Sequence, residues 1–131
     1  MKKILFSTIA FFGFQMLLAQ DQVSPTEDTI FQTKDIDVQP DFPHGMDDFY
    51  AFFDLKFKKP EVPDLIGKIF LSFIVEKDGS LSDIRTIKDI GFGTGAEAER
   101  VLQLSPKWLP GKKDGKTVRV NYILPIGIHT D

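Results

Sequence analysis

Residues 67–90 have the sequence GKIFLSFIVEKDGSLSDIRTIKDI, in which the turn Lys77-Asp78-Gly79-Ser80 separates a largely apolar segment from a more polar one. In the first segment, apolar residues recur at every second position, which is the period of a β-strand with one buried face: Ile69, Leu71, Phe73 and Val75. The Asp-Gly pair supplies the positive φ angles that a tight turn needs. The stretch therefore predicts a β-hairpin whose return strand runs roughly over residues 82–90.

A helical pattern lies on each side of this hairpin. On the N-terminal side, a helix is predicted after His44-Gly45 and before Pro60, because proline cannot continue a helix. Its apolar residues share one helical face: Met46, Phe49, Tyr50, Phe53 and Phe57. On the C-terminal side, Thr94-Gly95-Ala96-Glu97 has the pattern of a capping box, in which the Thr and Glu side chains pair with unsatisfied backbone N–H groups. It predicts a second helix that ends before Pro106.

The two ends of the chain supply the outer strands of the predicted sheet. Lys34–Pro43 predicts a short first strand or an extended arm, and Lys112–Lys116 predicts a solvated basic loop. The last strand is expected from Thr117 to about Ile128. Pro125 lacks a backbone N–H, so this strand should lie at a sheet edge at least from there onward. The order β-α-β-β-α-β predicts an α+β domain, with a small antiparallel sheet of three to four strands and two helices on one face.

The N-terminus has the three-part layout of a secretory signal peptide. Two lysines precede an apolar run over residues 4–18, and Ala19 is a small residue at the expected cleavage point. This run is shorter than the roughly 20 residues that span a bilayer as a helix. We therefore predict a signal peptide over 1–19, a flexible lead-in over 20–33 and one domain over 34–131, located in the periplasm with no membrane attachment after cleavage. An uncleaved leader that anchors the chain in the inner membrane is the alternative.

Composition and spacing argue against several classes of function. The chain of 131 residues has a formal net charge of −3 and no cysteine. A mildly acidic domain is a poor candidate for nucleic acid, which requires clustered Lys and Arg, and a thiolate metal site is excluded. His44 and His129 have no second ligand at metal spacing, and no Ser-His-Asp set can be assembled. We predict no enzyme activity, no catalytic residues, no metal and no cofactor, and we expect Trp108 to fill the core.

Several segments of the sequence resemble the C-terminal domain of TonB, the energy transducer, in the form usual in Bacteroidetes. The hairpin, the turn after the second helix and the last strand carry the resemblance together, and it covers nearly all of the predicted domain. The matching segments are Asp41–Met46, Gly67–Ile69, Phe73–Ile84, Glu97–Val101, Ser105–Gly111 and Gly115–Ile126.

The resemblance implies a binding function. Domains of this family bind a short segment of an outer-membrane transporter, the TonB box, as a strand added beside their last strand. A strand at an edge offers unpaired backbone N–H and C=O groups to such a peptide. The implied partner is a TonB-dependent outer-membrane receptor or another periplasmic protein, with backbone groups dominant and Arg119 and Asn121 as polar contacts. The implied contact residues are Val118, Arg119, Val120, Asn121, Tyr122 and Ile123.

Other interpretations stay open. The edge could be covered by the chain's own Lys34–Val38 arm, or the domain could be an envelope-associated protein that forms a homodimer through this edge or contacts peptidoglycan. The chain differs from the family at His44, where Gly is common, and at Lys59-Pro60-Glu61-Val62-Pro63, where Tyr-Pro is usual. A transducer held by an uncleaved leader is a further alternative. Since the roughly fifteen residues after the leader reach only about 50 Å, we expect a stand-alone module.

Overall fold

A computed structural model describes residues 28–131, so the predicted signal peptide over 1–19 and the lead-in up to residue 27 lie outside the described residues. No helix within 28–131 is both long enough and apolar enough to cross a membrane. After β1 the chain makes a 3-10 turn, Thr33–Asp35. In chain order the helices and strands are β1 (Ile30–Gln32), α1 (Met46–Lys56), β2 (Ile66–Val75), β3 (Leu81–Lys88), α2 (Thr94–Gln103), β4 (Gly111–Lys113) and β5 (Lys116–His129).

The strands form a mixed sheet with the order β1-β5-β2-β3, and β4 pairs with the start of β5. β2 and β5 are antiparallel from the pair Ile66↔His129 to the pair Val75↔Val120, and β2 and β3 form the predicted hairpin. β1 runs parallel to β5. The α+β class is confirmed. The predicted sheet is corrected in two respects, because the described residues hold five strands and the sheet is not wholly antiparallel.

Both helices pack on one face of the sheet, as the sequence predicts. Phe49 and Phe53 of α1 and Val101 of α2 are at most 2% exposed and share one core cluster with alternate residues of β2 and β5. Burying a side chain of this size contributes roughly 1.5–3 kcal/mol, so this layer holds the helices on the sheet. From the sheet the cluster takes Ile69, Leu71, Phe73, Val75, Leu124, Ile126 and Ile128.

Trp108 fills the core between α1 and the sheet, which confirms its predicted role. Its side chain is 2% exposed, and its indole Nε1 donates a hydrogen bond to Ser105 Oγ at 3.0 Å. Its backbone N–H donates to the carbonyl oxygen of Gly79 at 2.8 Å, which ties the segment after α2 to the β2–β3 turn. The ring centroid lies 5.4 to 5.9 Å from those of Phe42, Phe49, Phe73 and Tyr122.

The first strand lies earlier than the sequence predicts. We expected a strand or an extended arm over Lys34–Pro43, whereas β1 precedes this stretch and falls within the predicted lead-in. The arm is present after the 3-10 turn, but it makes only isolated bridges, Val38↔Lys112 and Asp41↔Leu109. Three residues are too few to show the apolar–polar alternation that predicts a strand. β1 is a strand because it pairs with β5.

The predicted basic loop Lys112–Lys116 is wrong, because a second hairpin occupies it. β4 pairs with the start of β5 from Gly111↔Val118 to Lys113↔Lys116. Between the strands, Asp114 and Gly115 have φ angles of 51° and 78°. Two-residue hairpin turns favour positive φ at both central positions, so this Asp-Gly pair is the sequence signal of the hairpin.

The start of α2 does not have the predicted capping box. The N-cap residue is Gly93, and no side chain caps the helix. Glu97 instead accepts hydrogen bonds from the backbone N–H of Lys58 at 2.9 Å and from the guanidinium of Arg100 at 2.6 Å. Since Lys58 lies just after α1, the Glu97 carboxylate joins the end of α1 to the first turn of α2.

These contacts make stability sensitive to acid. Led by the hydrogen bond from Arg100, they hold the pKa of Glu97 at about 2, below its ordinary value of 4.5. A carboxyl group with a lowered folded pKa stabilises the protein above its unfolded pKa, and that contribution is lost as the pH falls through the folded pKa. We expect Glu97→Gln to have a lower urea midpoint than the wild type at pH 7, and the gap to close between pH 4.5 and pH 2.

Urea denaturation followed by circular dichroism at pH 7, 4.5 and 2.5 measures this gap. Glu61→Gln, an exposed residue in the segment between α1 and β2, makes the same change in charge and serves as the control. A gap between wild type and Glu97→Gln that is as wide at pH 2.5 as at pH 7 would contradict the assignment.

Candidate functional site

β5 has one flank bordered by β2 and a second flank that is only partly covered. On the second flank, β1 pairs with Arg119–Asn121. From Tyr122 to His129, no strand in the described part of the chain pairs with this second flank. We call this second side the outer flank of β5, with a covered part over 119–121 and an open part over 122–129.

The structure places the six predicted contact residues in sequence on β5 but in different surroundings. Val118 is paired with β4, and the next three residues are paired with β1. Only Tyr122 and Ile123 lie on the open part. The protein's own strand β1 therefore occupies the outer flank of the predicted site at three of its six positions. This occupant is β1 rather than the Lys34–Val38 arm.

Side chains of β5 alternate between the core and the opposite face of the sheet. Val120 is fully buried, and the ring of Tyr122 stacks on Phe73 with centroids 5.5 Å apart. Burial raises the pKa of the Tyr122 phenol. Ile123 points to the other face and is 53% exposed. Because strand side chains stand roughly perpendicular to the sheet, a chain that docks on the outer flank meets backbone groups first.

Arg119 is the charged residue of the covered part. Its Nε and Nη2 donate to the two carboxylate oxygens of Glu76 at 2.7 and 3.1 Å, which is a bidentate pair. These bonds, helped by one from the Ser82 hydroxyl, outweigh partial burial and lower the pKa of Glu76. The remaining Nη1 donates to the backbone carbonyl of Asp28 at 3.0 Å. Arg119 therefore binds both the end of β2 and the chain that lies on the outer flank.

Asn121, the second predicted polar contact, is also held from the β2 side. The Ser72 hydroxyl donates to Asn121 Oδ1 at 3.1 Å across the β2–β5 ladder. Both polar side chains of the predicted site thus have partners on β2 or just beyond it. Their role in this structure is to fix β5 rather than to extend toward solvent.

The open part of the outer flank continues beyond the residues that the sequence predicted. It reaches to His129, and Pro125 and Gly127 on it are exposed. Alternate residues of a strand direct both backbone groups to the same neighbour, so about four of these positions face the outer flank. Pro125 was the one sequence signal for this edge.

No three His, Asp or Glu side chains within 28–131 lie close enough together to hold a metal ion. A solvent-open depression of about 640 Å³ lies at the Arg119 end of the sheet, lined by Asp28, Glu76, Lys77, Asp78, Ser80 and Arg119. Small-molecule sites are mostly enclosed and apolar, so this charged depression does not point to one.

Residues 64–127 match the sequence model of a family described as the Gram-negative bacterial TonB protein C-terminal domain. The matched segment begins just before β2 and ends within β5, so it includes most of the open part of the outer flank. β1, the arm and α1 lie outside it. No curated protein and no solved structure matched the chain.

Proposed function

Because residues 64–127 form a domain of the TonB C-terminal family, we propose that this protein binds an extended segment of another envelope protein as a strand beside β5. The family is one of non-enzymatic protein-interaction domains of the periplasmic type, and it generally contacts outer-membrane proteins. For this chain, the partner we propose is the TonB box of a TonB-dependent outer-membrane receptor. The observation that supports this proposal best is the open part of the outer flank.

Backbone pairing supplies the physical reason. An unpaired strand edge presents a row of N–H and C=O groups that another extended chain can satisfy. Each such hydrogen bond contributes roughly 0.5–1.5 kcal/mol net, and part of this gain is offset by the entropy lost when the peptide is ordered. Ile123, exposed on one face of the sheet, adds an apolar contact for a side chain of the peptide.

We further propose that the leader over residues 1–19 is cleaved and that the protein acts as a stand-alone module rather than as a transducer. The three-part layout of these residues supports export, and the short stretch between them and β1 favours a module that is not anchored. The N-terminal mass of the protein purified from cells decides this point, since retention of residues 1–19 would contradict cleavage.

The binding proposal is tested by titrating the isotopically labelled protein with a TonB-box peptide. We expect amide resonances along β5 to shift, most strongly in the open part of the outer flank. A matched peptide with N-methyl groups on alternate backbone amides loses its donors and should bind at least about tenfold more weakly, because each lost hydrogen bond has a net value near 1 kcal/mol. Shifts confined to other elements, or no shifts, would contradict the proposal.

Arg119 offers a variant of the same experiment. Arg119→Ala removes the guanidinium that donates to the backbone carbonyl of Asp28 on the outer flank. Because the chain's own segment loses this bond as well, the substitution is made in a Phe31→Pro background, in which β1 no longer pairs with β5. There we expect the peptide to bind about 3- to 10-fold more weakly, as for the loss of one charge-assisted hydrogen bond. Arg85→Ala is the matched control, because Arg85 lies on β3 at the opposite edge of the sheet and forms an exposed ion pair with the nearby Asp83. Equal weakening by both substitutions would show an effect of net charge alone.

A second copy of this chain is the alternative occupant of the same edge. The open part would serve an antiparallel partner strand equally well, and pairing of two copies would leave no flank for a peptide. Sedimentation at the concentration of the titration separates the two functions. A monomer that binds the peptide supports the receptor proposal, whereas a tight dimer that excludes the peptide supports the alternative.

A further inference from the structure

β1 lies on the outer flank in the manner of an added peptide. It is an extended segment in parallel register with β5, from Ile30↔Arg119 to Gln32↔Asn121. It comes from a distant part of the chain, since Asp28 and Arg119, which share a hydrogen bond, are 91 positions apart. β1 also lies outside the segment that matches the family. The protein thus pairs its own N-terminal segment with three of the positions assigned to a ligand.

The contacts that hold β1 lie at the protein surface. Ile30 is 41% exposed, and no residue of β1 belongs to the core cluster. The Phe31 ring is only partly buried, and the ammonium group of Lys113 lies over it, 5.9 Å from the ring centroid. Backbone hydrogen bonds of a surface strand give a net gain comparable to the entropy cost of ordering the same residues. The net free energy of docking β1 on β5 is therefore small.

The chain that follows β1 is anchored independently. The arm pairs with Lys112 and Leu109 through its two isolated bridges, and Phe42 at its end is 5% exposed and part of the core cluster. The 3-10 turn separates β1 from this anchored arm. Release of β1 therefore exposes the flank of Arg119–Asn121 without moving the core or the rest of the sheet.

We propose that β1 is an intramolecular competitor of the ligand strand, so that full binding requires β1 to leave the outer flank. This inference rests on the function proposed above. The apparent affinity of a site falls in proportion to the fraction of molecules in which the site is available. If β1 is docked in roughly 90–99% of molecules, its removal strengthens binding about 10- to 100-fold by the same relation. Only a ligand strand that pairs with β5 over a longer stretch, or with better-matched side chains, then binds tightly enough to displace β1.

The test compares the TonB-box peptide on three forms of the full protein by calorimetry. Phe31→Pro removes a backbone N–H from the β1 ladder and the ring beside Lys113, and it should bind the peptide at least about tenfold more tightly than the wild type. Phe31→Leu keeps the strand and should bind within about threefold of the wild type. Equal affinity for all three proteins, with thermal unfolding showing that each is folded, would overturn the proposal.

A second measurement separates failure of this inference from failure of the proposed function. Amide resonances of Arg119, Val120 and Asn121 are compared in the wild type and in Phe31→Pro, before and after addition of a synthetic peptide with the sequence of residues 28–33. A displaceable β1 predicts that these resonances differ between the two proteins and that the synthetic peptide moves those of the variant toward the wild-type positions. If this holds while the TonB-box peptide binds none of the proteins, the proposed ligand is wrong and the displaceable strand stands. If the synthetic peptide leaves the resonances of the variant unchanged, β1 is not a displaceable occupant and the inference fails.

Discussion

Replacing Gly79 with alanine should lower the free energy of unfolding by at least about 3 kcal/mol. Gly79 has a φ angle of +90°, and a Cβ built on it would overlap the carbonyl oxygen of Trp108. The neighbour is backbone, and it is held in place because the Trp108 N–H donates to the Gly79 carbonyl at 2.8 Å. The substitution therefore forces the β2–β3 turn and the segment after α2 apart. Thermal unfolding should show a fall in Tm of roughly 10–20 °C.

Gly115→Ala is the matched control for this experiment. Gly115 also sits in a hairpin turn with positive φ, +78°, but an added Cβ there would have no atom within 4 Å. Only the intrinsic cost of the left-handed conformation applies, about 1–2 kcal/mol. If the two alanine variants lost the same stability, the close approach of the Gly79 turn to Trp108 would not be the cause.

Trp108→Ala should cost about 3–5 kcal/mol, which is the range for removing a large aromatic side chain from a packed core. The indole contacts rings from the arm, from α1 and from two strands, so its removal leaves a cavity at the point where these elements meet. Tyr122 of β5 loses one of its two ring neighbours. We therefore also expect broadened amide resonances around Tyr122 in the folded fraction of this variant.

Leu109→Ala, one position along the chain, provides the comparison. The Leu109 side chain is 55% exposed, so its truncation should change stability by about 0.5 kcal/mol or less. Chemical denaturation with a common slope measures both variants. A small loss in Trp108→Ala would mean that the surrounding rings collapse into the space the indole leaves.

Local patterns accounted for most of the helical and hairpin structure. Alternation in β2 and the Asp78-Gly79 turn predicted the β2–β3 hairpin, and the spacing from Met46 predicted α1, because each signal lies within a few residues of the element it specifies. The capping box failed for a local reason as well. Gly91, Phe92 and Gly93 all adopt positive φ, so the chain enters α2 through a glycine and leaves Glu97 available to Lys58 and Arg100.

Long-range pairing is what the sequence could not supply. The residues Ile30–Gln32 have little pattern of their own, and only the docked position beside Arg119–Asn121 makes them a strand. β4 was not predicted, because its lysines favoured a solvent-exposed loop. Asp114-Gly115 is nevertheless the same turn signal as Asp78-Gly79 in the β2–β3 hairpin. The mixed character of the sheet follows from β1 alone, so it was beyond the reach of local reasoning.

For the candidate site, the sequence located the strand and the structure adds its surroundings. Pro125 predicted an edge, and the open part of the outer flank lies around it. The covered part could not be anticipated, because it depends on which distant segment pairs with Arg119–Asn121. That Val118–Ile123 contact a ligand stays a prediction. The peptide titration and the Phe31 variants test it.

The packing of Trp108 also has a spectroscopic consequence. It is the one tryptophan of the chain, it is shielded from water, and its ring lies 5.4 Å from that of Tyr122 on β5. An indole emits at shorter wavelength when it is dehydrated than when it is hydrated. The tryptophan fluorescence of the unmodified protein thus arises from a single residue, which reports how tightly β5 and the helical layer fit together with no dye attached.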